Sequence, residues 1–374
     1  MMAKILIAAG IYPPESGGPA TYAHLIAKEF PKRGIGTDLV LFRDVRYLPP
    51  IIRHLAYCFK VYRKARHADL IFVQDAVSVG LPAMIAAFFA RKPLVVRLGG
   101  NYSWEQGAQR FGVKDSLDEF VRNPRGHGFF VWLFVSIERF VCLRAKKIIV
   151  PSEYLKRVIA QFGVPKENII VIYNAYDPVD IRETKEEIKK RLGISGFTVL
   201  SAGRFVPWKG FGGVMEAVAR AKKEIPDTRL ILVGDGPMRA ALESAARKTG
   251  IAENVTFTGA LPRSETLAYL RAADAFVLNT AYEGFAHFVL EAAALGTPIA
   301  TTDIPGNAEF LKDGESALLF SVGDTEAIVR TITRIHNDSA LGARLAHAAE
   351  EIPKKFSSER LLAETEKTLR ALVR

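Results

Sequence analysis

Short apolar runs recur through this chain, each entering a turn rich in glycine or polar residues and then a stretch with apolar positions at helical spacing. Runs such as Lys4–Ala9, Asp69–Val73, Pro93–Leu98, Lys146–Val150, Phe197–Ala202, Arg229–Val233 and Ala275–Leu278 are too continuous to alternate between a wet and a dry face. Strands of that kind are buried on both sides, the condition of a parallel sheet covered by helices. The pattern predicts an α/β architecture in which strand, loop and helix repeat. At 374 residues the chain exceeds one ordinary core, so two domains are expected, residues 1–175 and 176–356, with a terminal helix over about 357–374.

In a doubly wound sheet, ligands bind at loops that leave the carboxyl ends of the strands. Two such loops carry the residue types of an anion and hydroxyl site. After Phe197–Ala202 come Arg204 and Lys209, two cations able to converge on one anion, arginine as a fork and lysine as a point charge. After Ala275–Leu278 comes Glu283, and a helix read from His287 to Leu295 carries Glu291. The amides of Phe288 and Val289 open that helix, and a helix N-terminus favours phosphate. A carboxylate beside such a site accepts hydrogen bonds from hydroxyls, which points to a sugar or a ribose. Two glutamates at this spacing also occur on solvated helices. Gly17-Gly18, before the first helix, allow close approach of backbone to a ligand or simply form a turn. Val233 to Pro237 repeats the strand-then-glycine pattern, but neither glycine cluster has the spacing of a dinucleotide fingerprint or a P-loop.

Charge is unevenly divided. Residues 1–175 carry 25 Lys and Arg against 13 Asp and Glu, so the net +11 of the chain comes from this half. An anionic partner is expected there: membrane headgroups, a lipid diphosphate or nucleic acid. Within Pro49–His67, Ile51, Ile52, Leu55, Phe59 and Tyr62 share one helix side, with Arg53, Lys60, Arg63 and Lys64 beside them. The apolar side either packs on the sheet, the blander expectation, or lies on anionic lipid. Phe129–Ala145 is apolar nearly all round, as a buried or lipid-touching helix would be. The loop from Gly99 shows little periodicity down to about Gly128, and its Asn101, Tyr102 and Glu105 are sugar-binding types that suit an acceptor site.

No run reaches the roughly 18 apolar residues of a membrane span, and the first run is too brief for a signal peptide. Cys58 and Cys142 lie in apolar segments and are expected to be buried free thiols in a reducing compartment. A cytoplasmic protein is predicted, with peripheral attachment to the inner face of the cytoplasmic membrane as the use of the basic half.

With these loops in place, the chain resembles the retaining glycosyltransferases of family 4, also described as glycosyl transferases group 1. The matching pieces are Gly17-Gly18, Gly203-Arg204 with Lys209-Gly210, Val233 to Pro237, Gly259, and Glu283 to Glu291 with Gly296-Thr297-Pro298. The resemblance implies the GT-B architecture: two facing Rossmann-like domains with a cleft between them, the terminal helix crossing back to the first domain. It further implies a nucleotide-diphosphate sugar donor, a UDP- or GDP-sugar, and a glycan or lipid-linked acceptor. Arg204, Lys209 and Glu283 would then be the catalytic set. Gly17, Gly18, Phe288 and Val289 would cradle phosphate, and Glu291 would hold the ribose. Gly234 and Leu261 would lie near the base and His287 near the donor. No metal, cofactor or nucleic acid is implied, since cations and helix dipoles can stabilise a departing diphosphate.

The chain departs from the family pattern where many members carry a histidine after the fourth strand. Here the place is taken by Leu98-Gly99-Gly100. Ala286-His287 likewise replaces the usual proline and small polar residue. Two other activities fit the same residues: an epimerase or hydrolase on the same nucleotide site, or a non-catalytic binder of membrane or nucleic acid that uses the basic half alone.

Overall fold

The computed structural model describes residues 3–15, 17–179 and 181–373. Two compact units divide the chain, Met1–Ala175 with Ser358–Arg374, and Tyr176–Ser357.

The first unit is built on six strands: β1 (Ala3–Ala9), β2 (Ile35–Leu41), β3 (Leu70–Val73), β4 (Leu94–Arg97), β5 (Lys147–Val150) and β6 (Ile169–Val171). They are ordered β2-β1-β3-β4-β5-β6, and every pairing is parallel. Residues Ile5 to Ala9 are buried on both faces, which is why β1 reads as an unbroken apolar run. On one face Ile5, Ile7, Phe72 and Val95 pack with Tyr22 and Ile26 of the helix Gly18–Glu29. Leu361, Leu362 and Leu369 of the helix Ser358–Arg370 join the same core. The Tyr22 hydroxyl meets Thr365 Oγ1 at 2.9 Å, and Arg33 pairs with Glu359 and Glu366.

The second unit holds β7 (Thr198–Ala202), β8 (Arg229–Val233), β9 (Val255–Gly259), β10 (Ala275–Leu278), β11 (Ile299–Thr302) and β12 (Leu318–Phe320), in the order β12-β11-β10-β7-β8-β9, again all parallel. β11 and β12 are additions to the runs read from sequence. β11 ends in Thr301 and Thr302, whose buried hydroxyls donate to the carbonyls of Leu278 at 3.0 Å and Thr280 at 2.6 Å. A threonine in that role counts as polar in a hydropathy pattern yet serves as a strand residue.

Several expectations for the first unit are corrected. The stretch after Gly99 is not an open loop: it folds into the helices Tyr102–Arg110 and Leu117–Arg122. The helix Pro50–Ala65 turns Tyr57, Val61 and Ala65 inward, and its larger apolar side faces out, with Ile51 77% and Phe59 60% exposed. The blander expectation for that side is thereby overturned. Nor are all of its cations spare. Lys64 Nζ lies 2.6 Å from Asp38 and 2.9 Å from the Leu39 carbonyl, and Lys60 lies 3.9 Å from Asp44. Arg53 and Arg63 stand over the Phe42 and Phe59 rings at 5.8 and 5.9 Å. Cys58 and Cys142 are both free thiols, but Cys58 is half-buried where full burial was expected.

The helix Phe129–Arg144 carries its one acidic residue, Glu138, inward. That carboxyl takes the amides of Tyr102 at 3.3 Å and Ser103 at 3.1 Å, and the Ser103 hydroxyl at 2.5 Å, so it closes the first turn of the helix Tyr102–Arg110. Burial raises its pKa from 4.5 to about 7, against the pull of those hydrogen bonds. A raised carboxyl favours the fold while protonated, and its contribution is lost as pH rises through the folded value. Relative to Glu138→Gln, the parent should lose on the order of 3 kcal/mol of unfolding free energy between pH 4.5 and about 7. Chemical denaturation across that range checks this; parallel curves for the two proteins would refute it.

Candidate functional site

In the second unit β7 and β10 are neighbours from which the strand order runs in opposite directions, so the loops that leave them flank the switch point of the sheet. These loops are locked by close backbone packing. A Cβ on Gly210 would stand 2.0 Å from the Asn279 carbonyl oxygen. Ala281 N donates to Trp208 O at 2.7 Å. The loop after β8 is locked to the loop after β7 in the same way. Phe205 N donates to Asp235 O at 2.9 Å, Met238 N to Phe205 O at 3.0 Å, and a Cβ on Gly234 would meet Gly203 O at 2.0 Å. Gly234 therefore serves loop-on-loop packing, a requirement separate from any approach of a ligand.

The short turn Pro207–Lys209 aims Lys209 at the β10 loop, where Nζ meets Glu283 Oε1 at 2.5 Å. Both side chains are largely enclosed, 15% and 9% exposed. Arg204 is exposed and has no ion pair among the described residues. Lys209 is thus held by a carboxylate, while Arg204 is open to solvent.

Glu283 leads to the helix His287–Ala294, which starts at Ala286 without a capping side chain. His287 N donates to Phe285 O at 2.9 Å, and the Phe288 and Val289 amides have no backbone acceptor among the described residues. One turn further on, Glu291 accepts from Arg263 Nε at 3.2 Å. Arg263 also donates to the Asp177 carbonyl at 3.0 Å and stands over the Tyr176 ring at 5.6 Å. Burial pushes the Glu291 carboxyl up, and the Arg263 charge opposes the rise. Arg263 was absent from the residues singled out in the sequence. Its one signal there is a cation directly after Pro262 at a helix start, a weak one. Leu261 is half-buried against the core of this unit, and the His287 ring lies edge-on to Phe285 at 5.1 Å.

In the first unit Gly17 precedes the helix Gly18–Glu29 with φ at 139°, a conformation that favours glycine, and accepts from Thr21 N at 3.1 Å. Asn101 is wholly buried, and its Oδ1 accepts from Trp104 N at 2.9 Å. A helix cap of this kind gives Asn101 a structural task in place of the exposed acceptor contact expected of it. Tyr102 and Glu105 remain half-buried on the same helix. Where the family's histidine would follow β4, Gly99 lies beside Arg97, a fully buried cation at the end of the strand. Arg97 stands 3.7 Å over the Tyr22 ring and donates to Asn174 Oδ1. Among the described residues, no group of three or more His, Cys, Asp or Glu converges at metal-binding spacing.

Comparison with known proteins accounts for both units. Residues 16–180 match the family model described as Glycosyltransferase Family 4, and residues 184–352 the one described as Glycosyl transferases group 1. The 2-deoxystreptamine glucosyltransferase of Streptomyces kanamyceticus is 30% identical over 76% of this chain and 72% of its own length. The lipopolysaccharide core biosynthesis glycosyltransferase LpsE of Rhizobium meliloti is 38% identical over 43% of this chain, a match that spans 46% of LpsE. In structure, Anabaena HepE crystallised with UDP and glucose covers 99% of this chain and 100% of its own at a TM-score of 0.80 and 21% identity. The chain belongs to the group 1, family 4 glycosyltransferases, and its fold is GT-B.

The interlocked loops make a sharp stability prediction. Gly210→Ala should destabilise by more than about 1 kcal/mol, because the backbone conformation and the Asn279 carbonyl both exclude a Cβ. Gly212→Ala, two residues on in the helix Phe211–Ala221 with open space around it, should be neutral or stabilise by up to about 1 kcal/mol. Urea unfolding of the two variants decides; equal effects would mean that the loop packing is not rigid.

Proposed function

We propose that this chain moves a glycosyl unit from a nucleoside diphosphate sugar to an acceptor hydroxyl, with retention at the anomeric carbon and without help from a metal ion. The observation that carries this reading is the enclosed Lys209–Glu283 pair at the switch point, next to a helix start whose Phe288 and Val289 amides have no backbone acceptor among the described residues. An ammonium has three donors. One is held by Glu283 and fixes the direction of the other two, which suits them to diphosphate oxygens. Arg204, open to solvent, adds a second cation, and the Phe288 and Val289 amides add dipoles. Charge builds on the leaving diphosphate as the glycosidic bond breaks, so donors aimed there before reaction lower the barrier without reorganising. The remaining oxygen of Glu283 accepts hydroxyls of the donor sugar. Glu291, oriented by Arg263, accepts the ribose hydroxyls.

HepE, crystallised with UDP and glucose, supports a UDP-sugar as the first donor to test. A relative named for lipopolysaccharide core biosynthesis, together with the basic first half of the chain, supports a lipid-linked or cell-surface glycan precursor as acceptor. The enzyme would meet that acceptor at the inner face of the cytoplasmic membrane. No helix of the described residues is long and apolar enough to cross a membrane, so attachment would be peripheral.

A thermal-shift screen over UDP- and GDP-sugars identifies the donor, because a ligand that binds the native state alone raises its apparent stability. With that donor, Lys209→Ala should lower kcat by about a hundredfold to a thousandfold. Glu291→Ala should raise the donor KM while thermal unfolding stays cooperative, and unchanged kinetics would remove the ribose assignment. Turnover of the nucleotide sugar to an epimer without any acceptor would replace the transferase reading with that of an epimerase.

A further inference from the structure

The first unit exposes large apolar side chains on three adjacent helices. Pro50–Ala65 packs against Gly80–Ala90, and Gly80–Ala90 against Phe129–Arg144. Between the second and third of these helices lies a groove of about 420 Å³, walled by Ile85, Phe88 and Phe140. Phe88, one of its walls, is 71% exposed. Lys92, Arg144 and Lys146 also line the groove, and Arg144 stands over the Phe140 ring at 4.8 Å. None of the three has an ion pair among the described residues, whereas other cations of this unit, such as Lys64 and Arg46, do. Acidic residues are nearly missing from the surrounding chain. Segments 45–68, 76–104 and 120–152 contain a single one, Glu138, and it is buried. An apolar groove lined by three cations without ion pairs and by no carboxylate is complementary to one amphiphile: a hydrocarbon chain joined to an anionic headgroup.

The position of the groove separates two sources of such a molecule. Lys92 stands two residues before β4 and Lys146 one residue before β5, at the amino ends of the strands. Substrates of a doubly wound sheet bind at the carboxyl ends, and a four-residue strand spans roughly 13 Å. A lipid seated at Lys92 is therefore at the wrong end of the sheet to present a hydroxyl for transfer. We propose that this groove is a phospholipid site. It takes one acyl chain of an anionic bilayer lipid between Phe88 and Phe140, with the headgroup phosphate on Lys92, Arg144 and Lys146. The exposed Ile51, Leu55 and Phe59 lie on the neighbouring helix and enter the same membrane face. The site anchors the enzyme and is distinct from the acceptor site, so it does not depend on the catalytic assignments above.

Full-length protein carrying Phe88→Trp, mixed with phosphatidylglycerol vesicles brominated along the acyl chain, tests the insertion. Its added fluorescence, taken as the difference from the parent, should be quenched by chain-brominated lipid and not by unmodified lipid. Vesicle sedimentation tests the headgroup contact. Lys92→Ala, Arg144→Ala and Lys146→Ala combined should lower the partition coefficient on phosphatidylglycerol by about a hundredfold and leave it unchanged on phosphatidylcholine. Donor-induced thermal shift should stay at the parent value, which separates loss of this site from a fault in the nucleotide site or the fold. Absence of quenching in vesicle-bound protein would overturn the proposal, as would equal partitioning of the triple variant. Displacement of the quenching by a short-chain polyprenyl diphosphate, with phosphatidylglycerol in excess, would reassign the groove to the acceptor and overturn it as well.

Discussion

The Lys209–Glu283 pair is where sheet topology becomes chemistry. Each partner rides on a loop leaving a strand beside the switch point, and the two loops are wedged so tightly that glycine alone fits at position 210, against the Asn279 carbonyl. Bringing a lysine and a glutamate out of water costs several kcal/mol per ion, and this is recovered only through close contact and further hydrogen bonds. An enclosed pair of this kind is a poor device for stability. It is a good one for holding a cation at a fixed point beside a helix start, with two donors still to be filled. Arg263 and Glu291 repeat the arrangement one helical turn away, with a half-exposed arginine in place of the enclosed lysine. Both pairs join a cation from the β7 or β9 side of the sheet to a carboxylate from the β10 side.

Much of this was legible in the residues themselves, because burial on both faces writes a strand as an unbroken apolar run. β1, β4, β7, β8 and β10 announce themselves that way, and the loops after β7 and β10 follow. β11 escapes because its last two residues are threonines whose hydroxyls are satisfied by carbonyls of the β10 segment, a tertiary fact with no local mark. The pairing of Lys209 with Glu283, and of Arg263 with Glu291, was likewise out of reach. The types at each position suggested a site, but which charge meets which depends on loop conformation. Asn101 misled for a related reason: the same side-chain oxygen can cap a helix or bind a sugar, and only burial distinguishes the two.

The helix Pro50–Ala65 shows a second limit. Its apolar side chains are numerous enough to define two faces, and the stronger pattern belongs to the larger residues. Yet Tyr57, Val61 and Ala65 go inward, Tyr57 onto the Phe42 ring and the Val40 carbonyl, and the helix lies along a neighbour rich in alanine. Small residues let two helices approach closely, and the bulky side chains are left outside. Hydropathy periodicity measures how apolar a face is and says nothing about what it meets. Here the difference turns a presumed core contact into an apolar surface continuous with the aromatic residues of Phe129–Arg144.

The helix Ser358–Arg370 belongs to the core of the first unit although nearly two hundred residues of the second unit separate it from β6. Chains emerge from the ribosome from the N-terminus, and domains generally fold as units. The second unit is contiguous, so all of its residues are available once Ser357 has been made. The first has its six strands early but must wait for Leu369 before its core is sealed over Tyr22. Synthesis therefore reverses the order of completion: the segment translated first is finished last, and a nascent enzyme keeps that apolar face open until its closing helix arrives.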